Sequence, residues 1–220
     1  MRTVKVKICG ITKEEDVKIV SDLGVDAIGF IVGVPSSPRN LSLNKAKELI
    51  RRVPVFVKSV LVMVPKNLEE IIRTCEKLSP NALQIHGENI RDVSYLRENL
   101  PNTSIIRALN VNQENILEAA SDASKSFDAI LLDSSSHGMY GGTGKVHDWK
   151  LSKRVKRVIR SKPLILAGGL HSQNVKESIC TVKPYAVDVS TGVESLPGIK
   201  DSVKISAFIK NVKELWISDK

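Results

Sequence analysis

Ala27-Ile28-Gly29-Phe30-Ile31-Val32 carries no polar side chain at any of its six positions. A strand with one wet face alternates apolar and polar residues. An unbroken apolar run of this length reads as a strand covered on both faces, the situation in a parallel sheet packed under helices. The segment before it has helical spacing, with Val17, Val20 and Leu23 on one face and a stop at Gly24. Before that, Val4, Val6 and Ile8 alternate with Lys5 and Lys7, a first strand that ends at Cys9. Thr12 and Glu15 have capping-box spacing, which predicts a helix starting one short turn after the cysteine.

The same alternation continues along the chain. Strands are expected at 59–63, 82–85, 104–108, 129–133, 163–167 and 185–189. Helical stripes lie between them: Ala46, Leu49 and Ile50; Leu68, Ile71, Ile72, Cys75 and Leu78; Val93, Leu96 and Leu100; Ile116, Ala120 and Ala123. They continue with Leu151, Val155, Val158 and Ile159, then Val175, Ile179 and Val182. The last is Val203, Ala207, Phe208, Val212 and Leu215. Asn67, Asp148 and Ser172 are the expected caps of three of these helices. Eight strand–helix units in 220 residues, with no linker or composition shift, predict one α/β domain spanning 1–220, a (β/α)₈ barrel. An open doubly wound sheet is the alternative.

Composition excludes several classes. With 42% apolar and 26% charged residues the chain is ordinary for a soluble globular protein. Cys9, Cys75 and Cys180 are far apart and odd in number, which suggests a reducing, cytoplasmic setting. The N-terminus has no signal-peptide core, and the most apolar window, 27–35, is too short to span a bilayer. The net charge of +9 comes from basic residues scattered over helix faces, and none of the nine aromatics is interleaved with a basic run, so no nucleic-acid partner is expected. His86, His137, His147 and His171 have no metal-ligand spacing, and neither metal nor cofactor is expected.

In a barrel of this kind, function gathers at the C-terminal strand ends. There the sequence places Cys9, Gln84, His86, Arg107, Asp133, Gly168, Gly169, Asp188, Ser190, Thr191 and Gly192, with Arg39 in the loop after strand two. Glycine-bearing turns after strands seven and eight are the usual phosphate site of the fold: Gly168-Gly169 and Ser190-Thr191-Gly192. Gly141-Gly142-Thr143-Gly144-Lys145 fails P-loop spacing and reads as a lid or as structural turns. Asp133 ends the apolar strand ILLD, where desolvation favours a protonated carboxyl and general-acid chemistry. Cys9 near a helix N-terminus is either a small buried hydrophobe or a thiol of lowered pKa, a base or nucleophile. Arg39 could hold a carboxylate by a bidentate contact. His86 could equally be a structural histidine. An acid, a thiol base, and sites for phosphate and carboxylate suggest proton transfer on a phosphosugar: aldose-to-ketose isomerisation without a cofactor.

These motifs also resemble a family, the phosphoribosylanthranilate isomerases of tryptophan biosynthesis. The resemblance runs in order through KICGIT (7–12), DAIGF (26–30), SPRN (37–40), LQIHG (83–87), LLD (131–133), GGTGKVHDW (141–149), LAGGL (166–170), DVSTGVES (188–195) and PGIKD (197–201). It implies an Amadori rearrangement with Cys9 as general base, Asp133 as general acid, Arg39 on the anthranilate carboxylate, and phosphate at the two turns. Gln84, His86 and Asp188 are the further expected substrate contacts, and the protein is expected to be a monomer or a homodimer. Val34, Thr191, His147 and Leu196 depart from the family's usual residues without touching the acid or the base. A ribulose-phosphate epimerase would need metal-ligand histidines at strand ends, and an indole-glycerol-phosphate synthase a lysine acid in the barrel; neither is evident. A basic nucleic-acid-binding module is the reading from another class.

Overall fold

A computed structural model describes residues 1–87, 90, 93–134, 147–159 and 162–217. Eight parallel strands close into a barrel: β1 (Lys5–Cys9), β2 (Ala27–Val32), β3 (Lys58–Met63), β4 (Ala82–Ile85), β5 (Ser104–Asn110), β6 (Ala129–Asp133), β7 (Leu164–Leu166) and β8 (Ala186–Val189). Closure is made by β1, which pairs with β8 (Asp188 opposite Lys7) and with β2 (Ile8 opposite Ile28). Eight α-helices among the described residues follow the strands: α1 (Glu14–Asp22), α2 (Leu43–Arg51), α3 (Leu68–Leu78), α4 (Ser94–Asn99), α5 (Ile116–Ser126), α6 (Trp149–Val158), α7 (Val175–Val182) and α8 (Ser202–Lys213). Among the described residues no helix is long and apolar enough to cross a membrane.

The apolar runs do what their composition demands. In β2, Ile28, Phe30 and Val32 join the core between barrel and helices, while Ile31 faces the barrel interior with Val60, Val62, Ala129, Leu131 and Ile165. Both faces are dry, so no position could have been polar without a partner.

Three strands begin with the same device. Asp26, before β2, accepts the backbone N–H of Val6 in β1 at 2.8 Å. Asn81, before β4, accepts that of Ser59 in β3 at 2.8 Å, and Asp128, before β6, that of Ile105 in β5 at 2.7 Å. Each Asx-Ala step therefore pins the start of one strand to its odd-numbered neighbour. Asp26 is also held by Lys5 (2.9 Å) and Lys213 (2.6 Å).

Several local expectations are corrected. Thr12 does not cap α1; its Oγ1 donates to the Gly198 carbonyl (2.9 Å), and the cap position is Lys13, without a side-chain bond. Asn174, not Ser172, occupies the cap position of α7. On α8 the buried face is Ile205, Phe208, Ile209 and Val212, whereas Val203 is 76% exposed. Asn67 and Asp148 cap α3 and α6 as expected, accepting from Glu70 and Lys150.

Candidate active site

Alternate side chains of the barrel strands point inward, and at the C-terminal ends they surround one cavity. Cys9, Arg39, Gln84, His86, Asp133 and Asp188 line it, together with Gly168, Gly169, Ser190, Thr191 and Gly192. Every site residue expected from the sequence except Arg107 is thus brought together. Ile106 and Ala108 face the barrel interior, which turns Arg107 outward, its guanidinium 6.0 Å from the Phe127 ring. The stretch 135–146, which includes most of the glycine-rich lid motif, lies outside the described residues.

Cys9 departs from the helix-dipole expectation. α1 starts only at Glu14, too far to act on the sulfur. Burial instead pushes the thiol above its ordinary value, an effect opposed by the positive charges of Lys7 and Lys200 and reinforced by Asp188. At neutral pH Cys9 is a thiol. Cys75 is core, pushed up to about 12 by burial, and Cys180 is exposed on α7.

Arg39 is buried and its Nε–Nη2 edge is already taken. Nε donates to Glu194 Oε1 (2.7 Å) and Nη2 to Glu194 Oε2 (2.5 Å). The planar fork is thereby fixed, and its Nη2 also reaches Thr191 Oγ1 at 3.5 Å beside the cavity. Glu194 also accepts from Lys200 Nζ at 2.7 Å. Lys200 in turn donates to the Cys9 carbonyl (2.6 Å) and reaches Ser190. Burial pulls the Lys200 ammonium below its usual range, and Glu194 opposes that fall. Glu194 and Lys200 stand on the two strands of a small hairpin, Glu194–Leu196 and Ile199–Lys200, folded over the loop after β1. Neither was picked from the sequence. The signal was present, as two charges flanking Pro197-Gly198, but nothing local says that they are buried.

Gln84 and His86 form a pair, nitrogen to nitrogen at 2.8 Å. Burial and the positive charges of Lys7 and Arg107 push the His86 imidazole down to about 3, so it is neutral and serves only as a hydrogen-bonding group. On the opposite wall, Lys7 Nζ meets Asp188 Oδ2 at 2.8 Å inside the barrel, with both side chains buried. Asp188 Oδ1 has no partner among the described residues and borders the cavity. Lys7, which alternates with Val6 and Ile8 along β1, is thus on the strand's inner face.

The turns after β7 and β8 touch each other. A Cβ on Gly192 would lie 1.9 Å from the Leu170 carbonyl oxygen, so only glycine lets the two backbones meet. Gly168 and Gly169 both take left-handed φ, +84° and +65°. Thr191–Val193 is a single 3₁₀ turn whose N-terminal end faces the cavity, a backbone arrangement suited to an anion.

Comparison with known proteins agrees with this geometry. Residues 6–211 match the family model described as N-(5′-phosphoribosyl)anthranilate (PRA) isomerase. The N-(5′-phosphoribosyl)anthranilate isomerase of Methanocaldococcus jannaschii is 40% identical, over 96% of this chain and 98% of that one. Among solved structures, engineered monomers of the dimeric phosphoribosylanthranilate isomerase from Thermotoga maritima superpose with a TM-score of 0.82 at 36% identity, over 96% of this chain and 100% of that chain. A phosphoribosylanthranilate isomerase in complex with reduced 1-(o-carboxyphenylamino)-1-deoxyribulose 5-phosphate gives 0.81 at 37% identity, with the same coverage.

Proposed function

This chain belongs to the N-(5′-phosphoribosyl)anthranilate isomerase family and is an isomerase of tryptophan biosynthesis, and from that premise we propose that its cavity runs the aldose-to-ketose rearrangement by general acid–base catalysis with Asp133 and Cys9. The observation that carries this reading is the convergence on one cavity of a buried carboxyl, a buried thiol, a pre-oriented guanidinium and two glycine-bearing turns.

Asp133, from β6, protonates the ribose ring oxygen; the ring C1–O bond opens and leaves a protonated Schiff base to the anthranilate nitrogen. Cys9, from β1, removes the C2 proton, and the electron pair moves into an enolamine that tautomerises to the ketone. Positive charge on the Schiff base acidifies C2, which lowers the barrier to removal of its proton by Cys9. Arg39 takes the anthranilate carboxylate on its Nη edge. The phosphate sits against Gly168, Gly169, Ser190, Thr191 and Gly192. Asp188 Oδ1, buried with no partner among the described residues, is completed by a substrate hydroxyl; a buried unpaired acceptor otherwise costs about 1–3 kcal/mol. Gln84 and His86 supply neutral contacts to the same sugar.

The test is an assay with freshly generated phosphoribosylanthranilate, following its loss of fluorescence. Cys9→Ser and Asp133→Asn should each lower kcat by about 10²–10⁴ while a reduced product analogue still binds. Full activity in either variant removes that residue from its role.

The same reasoning extends to assembly. Val55 and Phe56 are 95% and 97% exposed, side by side in the loop between α2 and β3. Burying two such side chains is worth about 1.5–3 kcal/mol each, and a dimeric relative is known. We infer a homodimer through this loop. Phe56→Glu should shift the chain to monomer mass in equilibrium sedimentation; a wild-type monomer at all concentrations would refute it.

A further inference from the structure

Cys9 is the proposed base, yet burial disfavours its thiolate. The mechanism so far names nothing that holds a negative charge on that sulfur. The neighbourhood does. Lys7 stands two residues earlier on β1, on the same inner face, and its ammonium is buried against Asp188 of β8. Opposite both, β2 brings up Gly29. A Cβ there would lie 2.8 Å from Cys9 Sγ and 3.2 Å from Lys7 Cε, so sulfur and lysine stem flank one point left empty by glycine.

We propose that Lys7 is a positioning residue for the isomerisation: its ammonium, held charged and in place by Asp188, is the fixed counter-charge that lets Cys9 become a thiolate inside the barrel, and Gly29 keeps the gap through which the two meet. This rests on Cys9 being the base.

The electrostatics support the geometry. Burial alone would pull Lys7 down, but the charges of Asp188 and of Cys9 outweigh it and hold the ammonium above its ordinary range. Lys7 therefore does not compete for the substrate's proton; it stays charged while Cys9 cycles. Other charged or titratable groups also face the sulfur: Arg39, whose guanidinium feels the Cys9 charge but is held in a bidentate pair with Glu194, and Lys200, Asp188 and His86. Lys200 also favours the thiolate, but it is already bonded to Glu194 and to the Cys9 carbonyl, and Glu194 is shared with Arg39. Asp188 disfavours the thiolate and is offset by Lys7 itself. His86 is neutral.

The experiment titrates Cys9 directly, by the pH dependence of iodoacetamide alkylation in a Cys180→Ser background where Cys75 is buried and silent. Lys7→Met should raise the thiol pKa by about one unit or more, leaving roughly tenfold less thiolate at a given pH. The alkaline limb of kcat/KM should move by the same amount. Lys7→Arg, which keeps the charge, should hold both near wild type. If Lys7→Met loses activity while both pKa values stay put, Lys7 only braces the barrel and the proposal is wrong. Should Lys7→Met fail to fold, Lys7→Gln, which keeps a polar stem beside Asp188, gives the same arm: the Cys9 pKa should rise, and an unchanged or lowered value overturns the idea. Full activity in Cys9→Ser would instead sink the base assignment and leave the titration of the thiol standing.

Discussion

Lys200 Nζ donates to the backbone carbonyl of Cys9 at 2.6 Å, from a side chain with no exposed surface. One ammonium thus joins the proposed base, Ser190 of the phosphate turn, and through Glu194 the guanidinium of Arg39. Lys200→Met should leave the Cys9 carbonyl without this donor and remove one of Glu194's two cationic partners. Breaking one partner out of a buried pair costs about 3–5 kcal/mol. Urea unfolding should show that loss, and KM should rise together with the fall in kcat, because both the base and the phosphate turn are released.

The pH profile follows from the raised thiol. The base works only when deprotonated and Asp133 only when protonated, so kcat/KM should be bell-shaped, bounded by the two pKa values. With Cys9 above its ordinary range, its limb lies on the alkaline side of the bell. His86, at about 3, should add no inflection near neutrality. Rate measurements between about pH 6 and 10 check both points; an inflection near neutrality with none on the alkaline side would contradict the assignment.

Gly192→Ala should separate the two anion turns. The added methyl meets the Leu170 carbonyl oxygen, backbone that has nowhere to go. The expected result is a rise in KM of about tenfold or more, with competitive inhibition by inorganic phosphate weakened in parallel. The thermal unfolding midpoint should fall as well, by roughly 2–4 °C for each kcal/mol that the displaced backbone costs in a chain of this size.

At the other end of the barrel, Asp26→Ala should cost stability and leave turnover alone. It removes an acceptor of Val6 N–H and of two lysines, charge-assisted bonds worth about 2 kcal/mol together after solvent screening. Burial works against the Asp26 carboxylate, but bonds from Lys213 and Lys5 win and its pKa is depressed. Its contribution is therefore complete above the ordinary carboxylate range and is lost as pH falls through the lower folded value. Asp26→Asn should flatten the acid limb of the stability curve, measured by denaturant unfolding from pH 7 to pH 3.

Where the sequence could be read, burial on both faces had removed ambiguity. AIGFIV and AILLD give β2 and β6 to the residue. The closed ring followed from counting eight such units. What escaped depended on partners far along the chain. Thr12 satisfies a local capping rule but bonds to Gly198. Lys7 looks solvent-facing until Asp188, on the strand that closes the barrel, arrives beside it. Arg107 is a strand-end arginine whose direction is fixed by which neighbours, Ile106 and Ala108, fill the interior. Glu194 and Lys200 sit in a turn that composition alone would place in water. Val203 fits the helical stripe, yet the face of α8 is set by Ile205 and Ile209.

The bond between Lys200 and Cys9 spans 191 residues, and it gives the enzyme a birth date. On a ribosome adding about 5–20 residues per second, roughly 10–40 s separate the two ends of that bond. Through that interval the nascent chain carries its thiol, its Arg39 and most of its strands, and has no working centre. Until Lys200 emerges, the Cys9 carbonyl lacks this donor and Glu194 lacks one of its two cations, so the surroundings of the thiol are completed long after the thiol itself is made.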